Sequence, residues 1–275
     1  MKVAINYSPQ TAELLAAGRV TFDLYKTTEW PEMIAAAETQ RPAIAHFPLM
    51  AGRHNLEQVG VARIQEILDT TATGFVNTHL APHASDFSMD FTTTDVGYVE
   101  PLVEAMMTDI HEMIAHFGRE IIILENANYD PNYQVPTLVI QPEVITRVVN
   151  ESGCGFLLDL AHAHMSAAYF GMDTREYMNR LPVYALRELH VAGTRYVADQ
   201  ERLVDHYPMT ADDWALTEWA VDNIRSGAWA EPALVSLEYG GTGGFFSSNS
   251  DIHVLAHDIP RLWDLVQGVS VPTSG

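Results

Sequence analysis

Cysteine is nearly absent: the 275-residue chain has one, Cys154. A lone thiol excludes an internal disulfide framework, a Cys-based zinc site and an iron–sulfur cluster. Cys154 itself reads as a small buried apolar group. Positive charge is also scarce, with 15 Lys and Arg against 36 Asp and Glu and a formal net charge of −21. Such a surface repels phosphate backbones, so no nucleic-acid partner is expected, and no polybasic stretch is present to meet anionic lipid. No apolar run approaches the roughly 18 residues that span a bilayer, so no membrane partner is expected either. The opening MKVAINYSPQ passes straight into strand-like alternation without a secretory apolar segment, which reads as a cytoplasmic chain. The first apolar run lacks the Gly-rich turn that a Rossmann fold would need. No linker, low-complexity tract or short repeat divides the sequence, so residues 1–275 read as a single domain. The acidic excess leaves three readings: plain solubility, a basic partner, or carboxylates held in place by metal cations.

Apolar residues make up 47% of the chain, enough for a sizeable core. Strand-like runs fall at 2–7, 20–25, 42–47, 74–80, 120–126, 155–160, 186–193 and 233–241. Helical patterns lie between them. SPQTAELLAAG offers Ser8 as a cap, Pro9 in the first turn and Gly18 past the end. Residues 96–117 repeat Leu102, Val103, Met106, Ile110 and Met113 at helical spacing. Thr210 and Asp213 have capping-box spacing, and the last helix, 253–267, contains Pro260. Eight strands alternating with helices predict an α/β (β/α)8 TIM barrel, with an open doubly wound sheet as the alternative. Two long segments, 81–97 and 194–209, follow strands and read as loops on the catalytic face.

Polar residues recur near the C-terminal ends of six consecutive strands: His46, His79, Glu125 followed by Asn126, Asp159, His190 and Glu238. Side-chain alternation places Glu125 with Ile123, Asp159 with Leu157, His79 with Asn77 and His190 with Glu188. Any one of these residues reads as an ordinary hydrogen-bonded group. Carboxylates converging in one barrel mouth would repel, and each costs several kcal/mol to desolvate unpaired. A multivalent cation resolves that conflict. LVDHYP adds Asp205 and His206, so the donors are nitrogen and oxygen only, as iron, manganese or catalytic zinc prefers. One octahedral ion with a substrate position takes at most about five protein groups, so this set points to more than one ion. Glu125 and Glu238 are then the natural bridging carboxylates.

Other signals carry less. HEMIAH at 111–116 spaces its histidines by five, which splits them around a helix and reads as surface. His253 and His257 share a face of the last helix and read as structural. GGTGGFF, from residue 240, reads as a phosphate cradle or a flexible lid.

In their order, HF, THL, LENAN, CGFLLDL, ELHVAG, VDH and LEYGG resemble the DUF692 family, the multinuclear non-heme iron-dependent oxidative enzymes (MNIO) that include the methanobactin biosynthesis oxidase. The resemblance runs from roughly residue 40 to 265. It implies a xylose-isomerase-like TIM barrel with two or three iron ions, mixed Fe2+/Fe3+, at the C-terminal face of the strands. It also implies O2 as co-substrate in the modification of a ribosomally made peptide (RiPP), typically at cysteine. Matched residue by residue, the implied metal ligands are His46, His79, Glu125, Asp159, His190 and Glu238. Asp205 and His206 stand where the family has D-x-H, so their adjacency departs from its pattern. The family's LLDVNN is replaced by LLDLAH, which puts Ala161 in place of an asparagine. His162 is the candidate replacement ligand, or else the site holds one metal fewer. His164 reads as either structural or supporting.

The expected function is therefore an iron- and O2-dependent oxidoreductase. Its catalytic metal site would rest on Glu125, Asp159, His190 and Glu238. It would act on a cysteine-containing precursor peptide presented by a separate partner protein, with Glu188 or Asn126 orienting the ligands. One alternative is a xylose-isomerase-like manganese or zinc sugar isomerase or epimerase, for which no dedicated lysine is evident. The other is a catalytically inactive metal- or peptide-binding barrel.

Overall fold

The computed structural model describes residues 1–198, 200–241 and 250–268. Residues 242–246 of the GGTGGFF segment lie outside them. In chain order the strands are β1 (Lys2–Asn6), β2 (Leu24–Thr28), β3 (Ala43–His46), β4 (Met50–Ala51), β5 (Val76–Leu80), β6 (Ile122–Glu125), β7 (Gly155–Asp159), β8 (Leu186–Val191), β9 (Gly193–Val197), β10 (Arg202–Tyr207) and β11 (Leu234–Leu237). Helices separate most of them, as the expected alternation requires. The chain forms two compact units, residues 46–187 and residues 1–45 with 188–275.

In the unit 46–187, parallel strands run in the order β7-β6-β5-β4. Their register makes two successive rows on one face. Asn77, Ile123 and Gly155 form the first, and His79, Glu125 and Leu157 the second. The first row is tight, since a Cβ on Gly155 would meet Ile123 Cγ2 at 3.0 Å and Arg187 Cγ at 2.5 Å. The helix Val99–Phe117 buries Leu102, Val103, Met106, Ile110 and Met113, the stripe read from its spacing. Residues 96–98 form a separate 3-10 turn. The helix Pro142–Ser152 begins on its proline and stops at Gly153, which takes φ +67° where a Cβ would be strained. Arg147 joins both oxygens of Glu100, at 2.8 and 2.9 Å, and holds Glu151 at 2.6 Å.

In the other unit the strand order is β3-β2-β1-β11-β8, with parallel pairing of β2 with β1, β1 with β11 and β11 with β8. Ala4, Leu24, Ile44 and Leu234 form one buried cluster on a shared face. The second strand lies later than its sequence suggests. The Asp23 carboxylate accepts from the Val3 N–H at 2.8 Å, and pairing starts only at Leu24. The strand therefore reaches Thr28 and carries Lys26 on the face of Leu24. Segment 194–209, expected as a loop, is largely the antiparallel hairpin β9–β10, with a register shift between Val204 and Tyr207. The helix Ala211–Arg225 starts with the expected Thr210–Asp213 capping box. The final helix, Ile252–Gln267, tolerates Pro260 in its interior.

Candidate metal centre

Within the unit 46–187, Glu125 ends β6 and is only 1% exposed. Three imidazoles approach its carboxylate. His79 Nε2 lies 3.2 Å from Oε1, His162 Nδ1 lies 3.7 Å from Oε1, and His46 Nε2 lies 3.5 Å from Oε2. His79, Glu125 and His162 each offer a donor atom within 4.8 Å of the others, a spacing that can hold a metal ion. The donor chemistry fits: a buried carboxylate with neutral imidazoles suits a divalent first-row ion. His79 Nδ1 is buried with no hydrogen-bond partner, the kind of atom that an ion or a water offsets. The His46 lone pair is engaged differently. Asn77 Oδ1 accepts from the Phe47 N–H at 2.8 Å, which turns the Asn77 amide to donate to His46 Nε2 at 3.0 Å.

The end of β7 shows why a core strand finishes in an aspartate. Asp159 is the N-cap of the helix Leu160–Phe170, and its Oδ1 accepts from the His162 N–H at 2.8 Å. The cap fixes the first turn, so His162 is held near Glu125. Asn126 ties the two strand ends together: its Oδ1 accepts from the Asp159 N–H at 2.9 Å and its Nδ2 donates to the Asp159 carbonyl at 3.1 Å. The Asn126 carbonyl in turn accepts from His162 Nδ1 at 2.9 Å. That bond assigns the proton to Nδ1, the nitrogen nearest Glu125, so the atom that could ligate an ion is Nε2, 3.8 Å from Asp159 Oδ2.

The unit of residues 1–45 and 188–275 builds a second cluster. Register aligns Leu234 with Glu188 and Ser236 with His190, so Glu188 and His190 share one face. His190 is fully buried. Its Nε2 lies 2.8 Å from Glu188 Oε1 and its Nδ1 lies 3.1 Å from Glu238 Oε1. Lys26, 5% exposed, enters the same group. Its Nζ bonds to Glu238 Oε1 and lies 2.9 Å from His190 Nε2. His206 takes φ +58° at the β10 irregularity, and its Nδ1 donates to the Glu238 carbonyl at 2.8 Å. Asp205 Oδ2 lies 3.8 Å from His206 Nε2. A bulge of this kind re-aims side chains that simple alternation would send to opposite faces.

The family model for the RiPP precursor modification enzymes MbnB/TglH/ChrH matches residues 25–230. The chain belongs to this family. Among curated relatives, a UPF0276 protein of Psychromonas ingrahamii is 22% identical over 171 residues, 58% of this chain and 60% of its own length. A UPF0276 protein of Paraburkholderia phytofirmans is 27% identical over 190 residues, 66% of this chain and 60% of its own length. The chain thus spans about 60% of the length of these relatives. Two solved structures share the fold. A xylose isomerase-like TIM barrel/4-hydroxyphenylpyruvate dioxygenase fusion protein has a TM-score of 0.54 at 15% identity, covering 100% of this chain and 45% of its own. A sugar phosphate isomerase/epimerase from Parabacteroides distasonis has a TM-score of 0.53 at 10% identity, covering 96% of this chain and 98% of its own. The fold of this MbnB/TglH/ChrH member is the expected α/β xylose-isomerase-like TIM barrel.

The remaining signals have structural places in this family member. His111 and His116 are exposed on their helix, as are His253 and His257 on theirs. Cys154 is buried, and burial raises its thiol pKa. His164 Nδ1 pairs with the Thr174 hydroxyl at 2.9 Å. No helix among the described residues is long and apolar enough to cross a membrane. Two polar groups escaped the sequence reading. One is Lys26, because β2 begins at Leu24, past most of the 20–25 run that suggests it. The other is Asp109, buried on the helix Val99–Phe117, whose Oδ2 accepts from the Gly52 N–H at 2.6 Å and the His54 N–H at 2.9 Å while Oδ1 meets His54 Nδ1.

Proposed function

We propose that this chain is an iron- and O2-dependent oxidoreductase that modifies a cysteine, or a residue beside it, of a ribosomally made precursor peptide. The observation that carries the reading is the buried Glu125 carboxylate with His79, His162 and His46 around it. Membership of a family of RiPP precursor modification enzymes supplies the substrate class. His79, Glu125 and His162 would hold iron, with His46 and Asp159 at hand as further ligands. Bound iron would supply one-electron chemistry with O2 and lower the pKa of a cysteine thiol that ligates it.

The protein's own part is geometric. The Asn126 carbonyl keeps the His162 proton on Nδ1, so the ring presents Nε2 in one orientation. Asp159 holds the backbone of that first helical turn through its Oδ1. Asn77 steers His46, which would have to exchange an amide donor for a metal to become a ligand. Burial of Glu125 keeps water from competing for its oxygens. The single-domain arrangement of residues 1–275, a separate peptide-presenting partner and a cytoplasmic setting belong to the same proposal.

Elemental analysis of anaerobically purified protein, followed by mass spectrometry of a cysteine-containing precursor peptide after exposure to air, tests this reading. Iron in the protein and an O2-dependent mass change in the peptide are expected. A preparation that retains one manganese or zinc and leaves every peptide untouched would sink the oxidase. It would favour the sugar isomerase instead.

A further inference from the structure

Lys26 takes the carboxylate oxygen that a metal ion in this cluster would need. Glu188, His190 and Glu238 offer two carboxylates and an imidazole, and each ring nitrogen of His190 faces a carboxylate oxygen. An ion shared by His190 and Glu238 would sit about 2.0–2.2 Å from each donor atom. The Lys26 ammonium blocks it through the carboxylate: Nζ bonds to Glu238 Oε1, the oxygen that would ligate the ion, and lies over the His190 ring, 2.9 Å from Nε2 and 3.4 Å from Nδ1. Its backbone is fixed in the sheet. The Lys26 carbonyl accepts from the Tyr7 N–H at 2.8 Å, and Lys26 pairs in register with Asn6 on β1. Its stem rises from the face that carries Leu24 in the buried cluster with Ala4, Ile44 and Leu234. Part of the negative charge is offset without an ion. One buried ammonium, with an imidazole between two carboxylates, supplies the cation that buried carboxylates require. A divalent ion placed beside it would meet a fixed like charge.

We propose that Lys26 is the resident cation of the Glu188–His190–Glu238 cluster, so that this cluster takes no metal ion while Lys26 is in place. Insofar as it concerns iron count, the inference rests on the function proposed above. The ion-binding ligands are then those of residues 46–187, and the chain carries fewer irons than a member with an open cluster here. His190 and Glu238 act as positioning residues, held by Lys26 and, at the Glu238 carbonyl, by His206.

The test is metal binding, read without activity. Chelator-stripped protein is dialysed anaerobically against Fe2+, and separately against Mn2+, and bound metal per chain is measured by plasma mass spectrometry. Glu238→Gln should keep the wild-type metal count. Lys26→Gln should gain about one ion per chain, and adding Glu238→Gln to it should abolish that gain. Loss of an ion in Glu238→Gln alone would overturn the proposal, as would a folded Lys26→Gln protein that gains none. Should Lys26→Gln fail to fold, the Glu238→Gln arm decides. A wild type that binds no metal at all would refute the iron-oxidase reading and still agree with a cluster closed by Lys26.

Discussion

Replacing Glu125 by Gln separates the metal reading from a purely structural one. The change keeps the shape of the side chain and removes one charge from a group that is 1% exposed and ringed by imidazoles. For the wild type, a metal at 100 times its Kd stabilises the folded chain by about 2.7 kcal/mol. A 275-residue chain unfolds with an entropy of roughly 0.6 kcal/mol/K, at about 2.1 cal/mol/K per residue. The melting temperature should therefore rise by about 5 °C. If losing the carboxylate weakens binding about a hundredfold, the same metal concentration gives only about 0.4 kcal/mol, a shift under about 1 °C. The metal-free variant should melt no lower than the metal-free wild type, because an ionised carboxylate in a buried site is itself unfavourable. Anaerobic melting of chelator-stripped protein, with and without added Fe2+ or Mn2+, measures both effects. Equal metal-induced shifts in the two proteins would refute the assignment of Glu125 as a ligand.

Asp159→Ala should lower metal occupancy and cost about 1 kcal/mol through loss of the helix cap, whereas exposed His111→Ala should change neither; elemental analysis and denaturant titration check both. Asp109→Ala should destabilise by about 2 kcal/mol, since it strands the Gly52 N–H, yet leave the metal content unchanged. Asp258 is a buried carboxyl whose pKa is raised above 3.8, mainly by desolvation. The folded chain therefore holds this proton to higher pH than the unfolded chain does, and the resulting penalty grows from about pH 3.8 up to the raised value. Asp258→Asn should thus raise the melting temperature at neutral pH and have little effect near pH 3.5, as melting curves across pH would show.

Much of the fold was legible because it rests on local rules. Proline at the start and glycine past the end located the helix Pro142–Ser152, and period-two alternation assigned side-chain faces. The register bears this out where His79, Glu125 and Leu157 form one row, and where Glu188 and His190 follow each other on one face. The six strand-end acids and histidines were visible by type and order. Lys26 was not, since the start of β2 depends on Asp23 reaching back to the Val3 N–H, a bond between residues 20 apart. Asp109 looked like an ordinary polar residue on an amphipathic helix, and only the loop of Gly52 and His54 folded over it reveals why it is buried.

The amino-acid order by itself determined the alternating elements, the acids and histidines at the strand ends and the family. Each follows from residue types at short, regular spacing. Tertiary structure alone decided the proton position on His162, set by the carbonyl of Asn126, and the lysine that joins His190 and Glu238. Those outcomes depend on ångström-scale distances between atoms far apart in the chain, which no spacing along it encodes.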